Sequence, residues 1–511
     1  MSDRRGRRAR GGARQPQAIA QTPWRVPVNI DRPTEPLSAE GVAAIDAGAM
    51  QILEEIGIEF LNNEAVAHLR AAGCAIEGET VRMDRAFVRE MVARAPSAFD
   101  ITPRNPDRQI RIGDNRMVFG AVASPPNVLD LDRGHRTGDM ASFRDLVTLA
   151  QAFDCIHFLG GYPVEPVDVH AGLRHLDCLY EMLTRSDKVV HAYALGPERV
   201  EDVLEMARIA SGLDAESFFA TPRLFTNINS SSPLKHDWPM LDGALRFARH
   251  RQPVIVTPFT LAGAMAPVTL AGAVTQSVAE GLAAIALLQW VSPGTPVVLG
   301  TFTSNVDMRS GAPAFGTPEY IRATQMTGQM ARHYGLPLRA SNACAANAPD
   351  GQAVWESMNS LWAAVQSGVN MVYHAAGWLE GGLIASYEKF VMDCEVLQQI
   401  QRYFEPSLVD VSEGAVAVDA VREVGPNGHF FGADHTQSRY QTAFYSPFLA
   451  DWRNHEAWVE GGSTWTSERA NKLWKAVLSE AEPPAMDPAI AEELGAFVAR
   501  RKSEGGAQTD F

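Results

Sequence analysis

LRASNACAANAPDGQAVWESMNSLWAAVQSGVNMVYH, from Leu338 to His374, reads as a strand, a helix and a second strand. The first run, Leu338 to Ala343, is short and ends in polar residues. Val354, Met358, Leu361, Trp362 and Val365 then recur at helical spacing, which gathers them on one face. The last run, Asn370 to His374, is again short and rich in strand-forming side chains.

Working outward, six further runs have the same character: Met117 to Val122, Ile156 to Gly160, Lys188 to Tyr193, Leu224 to Asn229, Val254 to Phe259 and Pro296 to Phe302. Helical periodicity follows them, as in Leu173, Leu176, Tyr180 and Leu183. Strands that alternate with helices and read as nearly continuous apolar stretches imply a parallel sheet covered by helices. Eight repeats predict an α/β fold of the (β/α)8 TIM-barrel class. The alternative, a doubly wound open sheet, finds no GxGxxG after the first strand to support it.

Around residues 116–405, the catalytic barrel, the chain divides into three further parts. Residues 1–34 form a disordered Arg-rich tail, in which Arg4, Arg5, Arg7, Arg8, Arg10 and Arg14 are either a solvated tail or a docking arm. Residues 35–115 form a helical and partly β cap, beginning with an amphipathic helix over Leu37 to Phe60 that Ser38 would N-cap. Residues 406–511 form a C-terminal extension with a short-stranded stretch around Ala415 to Val424. Its Trp452, Trp458 and Trp465 suit packing on the barrel or on a partner subunit, so a homo-oligomer is possible.

A net charge of -15, from 45 basic and 60 acidic residues, argues against nucleic acid or an anionic membrane as partner. Arg4 and Arg5 are followed by no apolar run, and no segment reaches the length and apolarity of a membrane span, Leu282 to Val291 coming nearest. The expected location is cytoplasmic. Five cysteines without a CxxC pair predict reduced thiols and no metal bound by this chain.

In such a barrel, function belongs at the C-terminal ends of the strands. There the sequence places Asn227, Asn229, Ser230, Thr301, Thr303, Ser341, Asn342, Tyr373 and His374, each of which could equally be a cap or turn residue. Phe119, Tyr162, Phe259, Trp378 and Tyr387 lie at or just beyond the strand ends. A mouth rich in aromatic rings and poor in paired charge suits an organic cation; rim packing is the alternative for any one ring.

Five longer stretches carry a family resemblance: SSSPLKHDWPMLDGAL (Ser230 to Leu245), PVIVTPFTLAGAMAPVTLAGAV (Pro253 to Val274), GTFTSNVDMRSGAPAFGTPE (Gly300 to Glu319), HAAGWLEGGLIASYEKFVMDCE (His374 to Glu395) and GHFFGADHTQSRYQTAFYSPFLADW (Gly428 to Trp452). The chain resembles the trimethylamine methyltransferase family. The resemblance implies a (β/α)8 barrel and methyl transfer to a corrinoid (cobalamin) carried by a cognate corrinoid protein. The archaeal members hold a pyrrolysine in the loop after the seventh strand, where this chain has only ordinary residues from Ser341 to Pro349. Members without it are linked to small-molecule quaternary amines, glycine betaine or similar betaines.

That reading assigns the ammonium to Tyr162, Phe259, Trp378 and Tyr387, and the substrate carboxylate to Asn229, Arg309 and His374. His374 and Glu388 are the catalytic candidates; Arg309 could instead anchor its loop, and Glu388 could cap backbone amides. Cys344 reads as packing. The rival readings are a lyase or aldolase that forms an imine on Lys389, and a non-catalytic betaine-binding or corrinoid-docking protein.

Overall fold

A computed structural model describes residues 19–508. Eight parallel strands are central: β1 (Val118–Ala121), β2 (Phe158–Leu159), β3 (Val189–Val190), β4 (Thr226–Ile228), β5 (Val254–Val256), β6 (Val297–Gly300), β7 (Leu338–Ser341) and β8 (Met371–Ala376). Seven of them lie within the sequence runs, and β8 overruns its run, Asn370 to His374, by two residues. Pairing proceeds β3–β2–β1–β8–β7–β6–β5–β4. The two ends meet where the Phe225 N–H donates to the Val190 carbonyl at 3.3 Å and the Ala192 N–H donates to the Phe225 carbonyl at 2.9 Å, so the barrel is closed.

A helix follows every strand: α1 (Met140–Ala152), α2 (Ala171–Arg185), α3 (Pro197–Ser211), α4 (Trp238–Arg249), α5 (Leu270–Val291), α6 (Pro318–His333), α7 (Gly351–Gln366) and α8 (Tyr387–Tyr403). Side chains alternate across each strand. The inward set at the lower level is apolar, with Val118, Phe158, Val189, Phe225, Ile255, Val298 and Met371 in one cluster. A hairpin of Phe99–Ile101 and Ile110–Ile112 joins the same cluster and plugs the N-terminal end of the barrel. With the bottom filled, an opening is left only at the other end.

Several details differ from the sequence reading. The first helix is N-capped by Ser38 as expected, but it ends at Gln51 and passes through a π-turn, Ile52–Ile56, into the strand Ile58–Phe60. Gly57, at φ +88°, makes that break; a Cβ there would meet the Val81 carbonyl at 2.7 Å. The stretch around Ala415 to Val424 is helical, Glu413–Val416 and Val418–Val424, not stranded. Helix α5 does reach the length and apolarity of a membrane span, which the shorter window Leu282 to Val291 missed. It is a core element, packed against the cap helices Ala39–Gln51 and Arg85–Val92.

Residues 19–34, assigned to the tail by composition, lie against the barrel: the Thr22 N–H donates to Gln398, and the Trp24 ring covers Arg108 and Lys188. The arginines of the first fourteen residues fall outside the described residues. In the C-terminal extension, Thr466–Glu480 packs on α8 and Pro488–Ser503 on α2 and α3.

Candidate functional site

The inward positions one step above the apolar level change character. β4 continues from Phe225 to Asn227 and Asn229, β5 from Ile255 to Thr257 and Phe259, β6 from Val298 to Gly300 and Phe302, and β8 from Met371 to Tyr373. β7 contributes Arg339, and β3 contributes His191 and Tyr193. Opposite these large groups, Gly160 carries no side chain, and a Cβ there would meet the Ala121 carbonyl at 2.7 Å. The result is a cavity of about 400 Å³ at the mouth of the barrel, a size suited to a small organic ligand. Among the described residues, no aspartate or glutamate lines it.

Arg339 dominates the electrostatics. Its side chain is buried, and among the described residues no carboxylate pairs with it. One guanidinium N–H reaches the Thr301 carbonyl at 3.3 Å, while Nε has no partner. The planar group stacks over the rings of Tyr373, at 4.5 Å, and Phe302, at 5.4 Å. Burial pushes the guanidinium down to about 10, so it remains charged at neutral pH. A buried, unneutralised cation with free donors facing a cavity is the complement of a ligand carboxylate.

The neutral polar groups around it are held in fixed orientations. His191 Nδ1 lies 2.6 Å from the Gly160 carbonyl and its Nε2 accepts from the Asn227 N–H at 3.1 Å, which sets the tautomer. Burial holds that imidazole down to about 4. Thr257 Oγ1 donates to Asn227 Oδ1 at 2.8 Å, and Asn227 Nδ2 donates to Asn229 Oδ1 at 2.6 Å. The run leaves the Asn229 amide NH2 as its terminal donor. His374 adopts φ +54°, sits 3.2 Å from Ser341 Oγ through Nδ1, and packs at 3.7 Å on the Trp378 ring. Burial, Arg339 and His191 hold it well below the usual imidazole range.

Aromatic faces complete the wall. Phe259 and Phe302 are 5.2 Å apart, and Phe302 and Trp378 are 5.8 Å apart. Gly382, at φ +102°, allows its loop to pass over Trp378, since a Cβ there would lie 2.6 Å from the indole.

Of the eight residues given a binding or catalytic role from sequence, Asn229, Phe259, His374 and Trp378 line this cavity and four do not; Asn227 and Tyr373, named there as strand-end residues, line it as well. Tyr162 stands one layer back, edge-on to Tyr193 at 4.5 Å. Arg309 is exposed in a turn beyond the short strand Ser304–Val306, where Asp307 accepts its backbone N–H. Tyr387 faces outward, donating its hydroxyl to Asp145 at 2.9 Å and packing on Trp474. Glu388 accepts from Trp474 Nε1 and Asn471 Nδ2, both at 2.9 Å, and so ties the C-terminal extension to α8. The first turn of α8 starts near the mouth but directs these side chains away from it.

Lys389 is also elsewhere, buried against Asp393 at 2.6 Å and Ser357 Oγ at 2.6 Å. Cys344 is buried beside Glu356, and burial pushes its thiol up to about 12. The sequence reading missed Arg339, His191, Tyr193 and Phe302. Strand parity would have found Arg339, which faces inward as Ser341 does two residues on.

Fold and site together define a (β/α)8-barrel protein with a small-molecule cavity at its loop-bearing end. The family described as Trimethylamine methyltransferase (MTTB) matches residues 3–506, so the chain belongs to the trimethylamine methyltransferase family. It is 37% identical over 473 residues to the glycine betaine methyltransferase of Desulfitobacterium hafniense strain Y51, covering 92% of this chain and 98% of that one. It is 26% identical to the proline betaine:corrinoid methyltransferase of Eubacterium limosum, covering 80% and 87% respectively. Superposition on the monomethylamine methyltransferase of Methanosarcina barkeri gives a TM-score of 0.47 at 11% identity, covering 91% of this chain and 96% of that one. The fold assignment rests on the strand pairing described above.

Proposed function

We propose that this protein takes a methyl group from a betaine, a quaternary ammonium that carries its own carboxylate, and passes it to the Co(I) corrinoid of a separate protein. The observation that carries this reading is the buried guanidinium of Arg339, free of any acidic partner, in a cavity walled by aromatic rings. The substrate carboxylate pairs with Arg339 and the Asn229 amide. Its ammonium lies against Phe259, Phe302 and Trp378, whose faces attract a cation that has no N–H to donate.

The absence of a carboxylate from the wall fits the chemistry. As the C–N bond breaks, its electron pair stays on nitrogen and the positive charge there disappears. An acidic side chain beside the ammonium would favour the ground state over the transition state and slow the step. Aromatic faces hold the cation more weakly and fix one methyl in line with the approaching acceptor. The reduced corrinoid supplies the nucleophile. His374 and His191, both neutral, position groups and transfer no proton, because the leaving tertiary amine departs uncharged.

The 37% identity to a glycine betaine methyltransferase supports glycine betaine as the first substrate to test. Anaerobic methylation of Co(I) cobalamin, followed by absorbance, should proceed with one of glycine betaine, proline betaine or carnitine and not with trimethylamine. No methylation with any of them, even with a cognate corrinoid protein present, would leave a binding protein. Lys389 gives no support to an imine-forming lyase, since it is ion-paired outside the cavity.

A further inference from the structure

Helix α8 ends at Tyr403, and residues 406–465 form an excursion with a composition unlike that of the barrel surface. Of the 25 exposed large apolar side chains among the described residues, 13 lie between Leu408 and Trp465. Val411 is 81% exposed, Phe431 80%, Phe444 84%, Trp452 69% and Trp465 71%. Only Ala420, Ala433 and Leu449 are buried in this span. Among the described residues, 410–442 hydrogen-bond to one another and, beyond that span, only to the adjoining Ala443, whose carbonyl accepts from Arg402 of α8 at 3.0 Å; the return leg is tied down by Glu395, which accepts the backbone N–H groups of Phe448 and Leu449 at 3.0 and 2.9 Å.

A segment of this length with no core of its own cannot hold a fixed shape by burial within one chain. Aromatic side chains bury roughly 150–250 Å² each, so the four most exposed rings alone offer on the order of 600 Å². With the valines, this approaches the ~800 Å² per partner of a stable interface. Beside the root of the excursion, α7, α8 and the returning chain enclose a groove of about 450 Å³ that includes Met358, Trp362, Tyr403, Tyr445 and Trp452. One chain therefore presents both a projecting apolar segment and an apolar recess.

We infer that this excursion is an assembly arm: residues 406–465 dock on a second copy of the same chain, in a symmetric pair in which each arm packs on the other's arm and groove. A surface so apolar requires a permanent partner, and another copy is always present at equal stoichiometry. Position argues against a transient methyl acceptor as the occupant. Barrel helices run antiparallel to the strands, so the C-terminal end of α8, where the arm departs, lies at the plugged end, whereas an acceptor must reach the open mouth. The exclusion of the acceptor rests on the proposed reaction; the exposed apolar side chains and the groove do not.

Sedimentation velocity of the full chain over a hundredfold dilution tests it, with the double variant Phe431→Asp/Phe444→Asp alongside. The expected result is a dimer, or a larger assembly with an even number of copies, that the double variant breaks down with its circular dichroism unchanged. A monomeric wild type, or an assembly that the double variant leaves intact, would overturn the inference; so would association only after another protein is added. Should the variant fail to fold, hydrogen exchange of the wild type decides: amides in 410–442 should lose protection on dilution, and protection independent of concentration in a monomer overturns the inference.

Discussion

Replacing Arg339 with methionine removes the charge while keeping a long side chain over Tyr373 and Phe302. Arg339 is 3% exposed and has no competing acid among the described residues, so water screens its attraction for a ligand carboxylate poorly. Truncating one member of a buried charge pair costs 2–5 kcal/mol, and the burial here places the expected loss at about 3–4 kcal/mol, a fall of roughly 10²- to 10³-fold in kcat/KM for glycine betaine. Stability should move the other way. A guanidinium held down to about 10 costs the folded state stability at every pH below that value, so the ligand-free variant should melt at the same temperature as the wild type or higher. Glycine betaine should raise the Tm of the wild type and not of the variant. Choline, a quaternary ammonium without a carboxylate, should bind the variant better than the wild type. The assay is anaerobic cobalamin methylation beside thermal melts with each ligand. A variant that melts normally yet keeps kcat/KM for glycine betaine within about threefold of wild type would refute the assignment of Arg339.

Three further outcomes follow from the geometry. Glu388→Gln should lower stability by about 1–3 kcal/mol, because a charged acceptor for Trp474 and Asn471 is lost, while KM for betaine stays unchanged; a large KM effect with normal melting would return Glu388 to the site. Lys389→Met should destabilise by about 3–5 kcal/mol by stranding Asp393, and borohydride with substrate should trap no adduct on the wild type, which mass spectrometry reads directly. Burial holds His157 down to about 3 and His191 down to about 4, both below the ordinary 6.5. The unfolded chain therefore takes up protons first on acidification, and stability should be flat above about pH 6.5 and fall as pH drops from there towards 4; melts at three pH values check the slope.

The barrel was legible because each strand is a short apolar run bounded by polar residues, and closure followed from the number of runs. The site was half legible. Asn229, Phe259 and His374 lie at the ends of runs, where strand geometry alone directs attention, and Trp378 follows closely behind β8. Arg339 sits inside a run and was counted as part of a strand; counting alternate positions from Ser341 reveals that it faces inward. Tyr387 and Glu388 were misplaced because proximity to the mouth along the chain does not fix the direction of a side chain on a helix. What covers the outer face of α8 is Thr466–Glu480, nearly eighty residues later, and no local pattern announces that return. Arg309 was misplaced for a related reason: the chain after β6 rises into a three-stranded ribbon of Leu261–Ala262, Ser304–Val306 and Pro313–Ala314, which carries the arginine away from the cavity.

The pairing of an unneutralised arginine with aromatic walls also bears on which amines enter. At an effective dielectric of about 20, two like charges ~6 Å apart repel by about 3 kcal/mol. Protonated trimethylamine or choline meets that repulsion in full and recovers only part of it from the rings, since a desolvated cation–π contact is worth about 2 kcal/mol. A betaine meets the same repulsion at its ammonium and more than offsets it at its carboxylate, which lies closer to the guanidinium. The cavity therefore selects for a zwitterion without an acidic residue, and the ammonium remains weakly held where the charge must vanish. Adding an acid to the wall, for instance by Asn229→Asp, should reverse the preference: tighter binding of choline, weaker binding of glycine betaine, and slower methyl transfer from either.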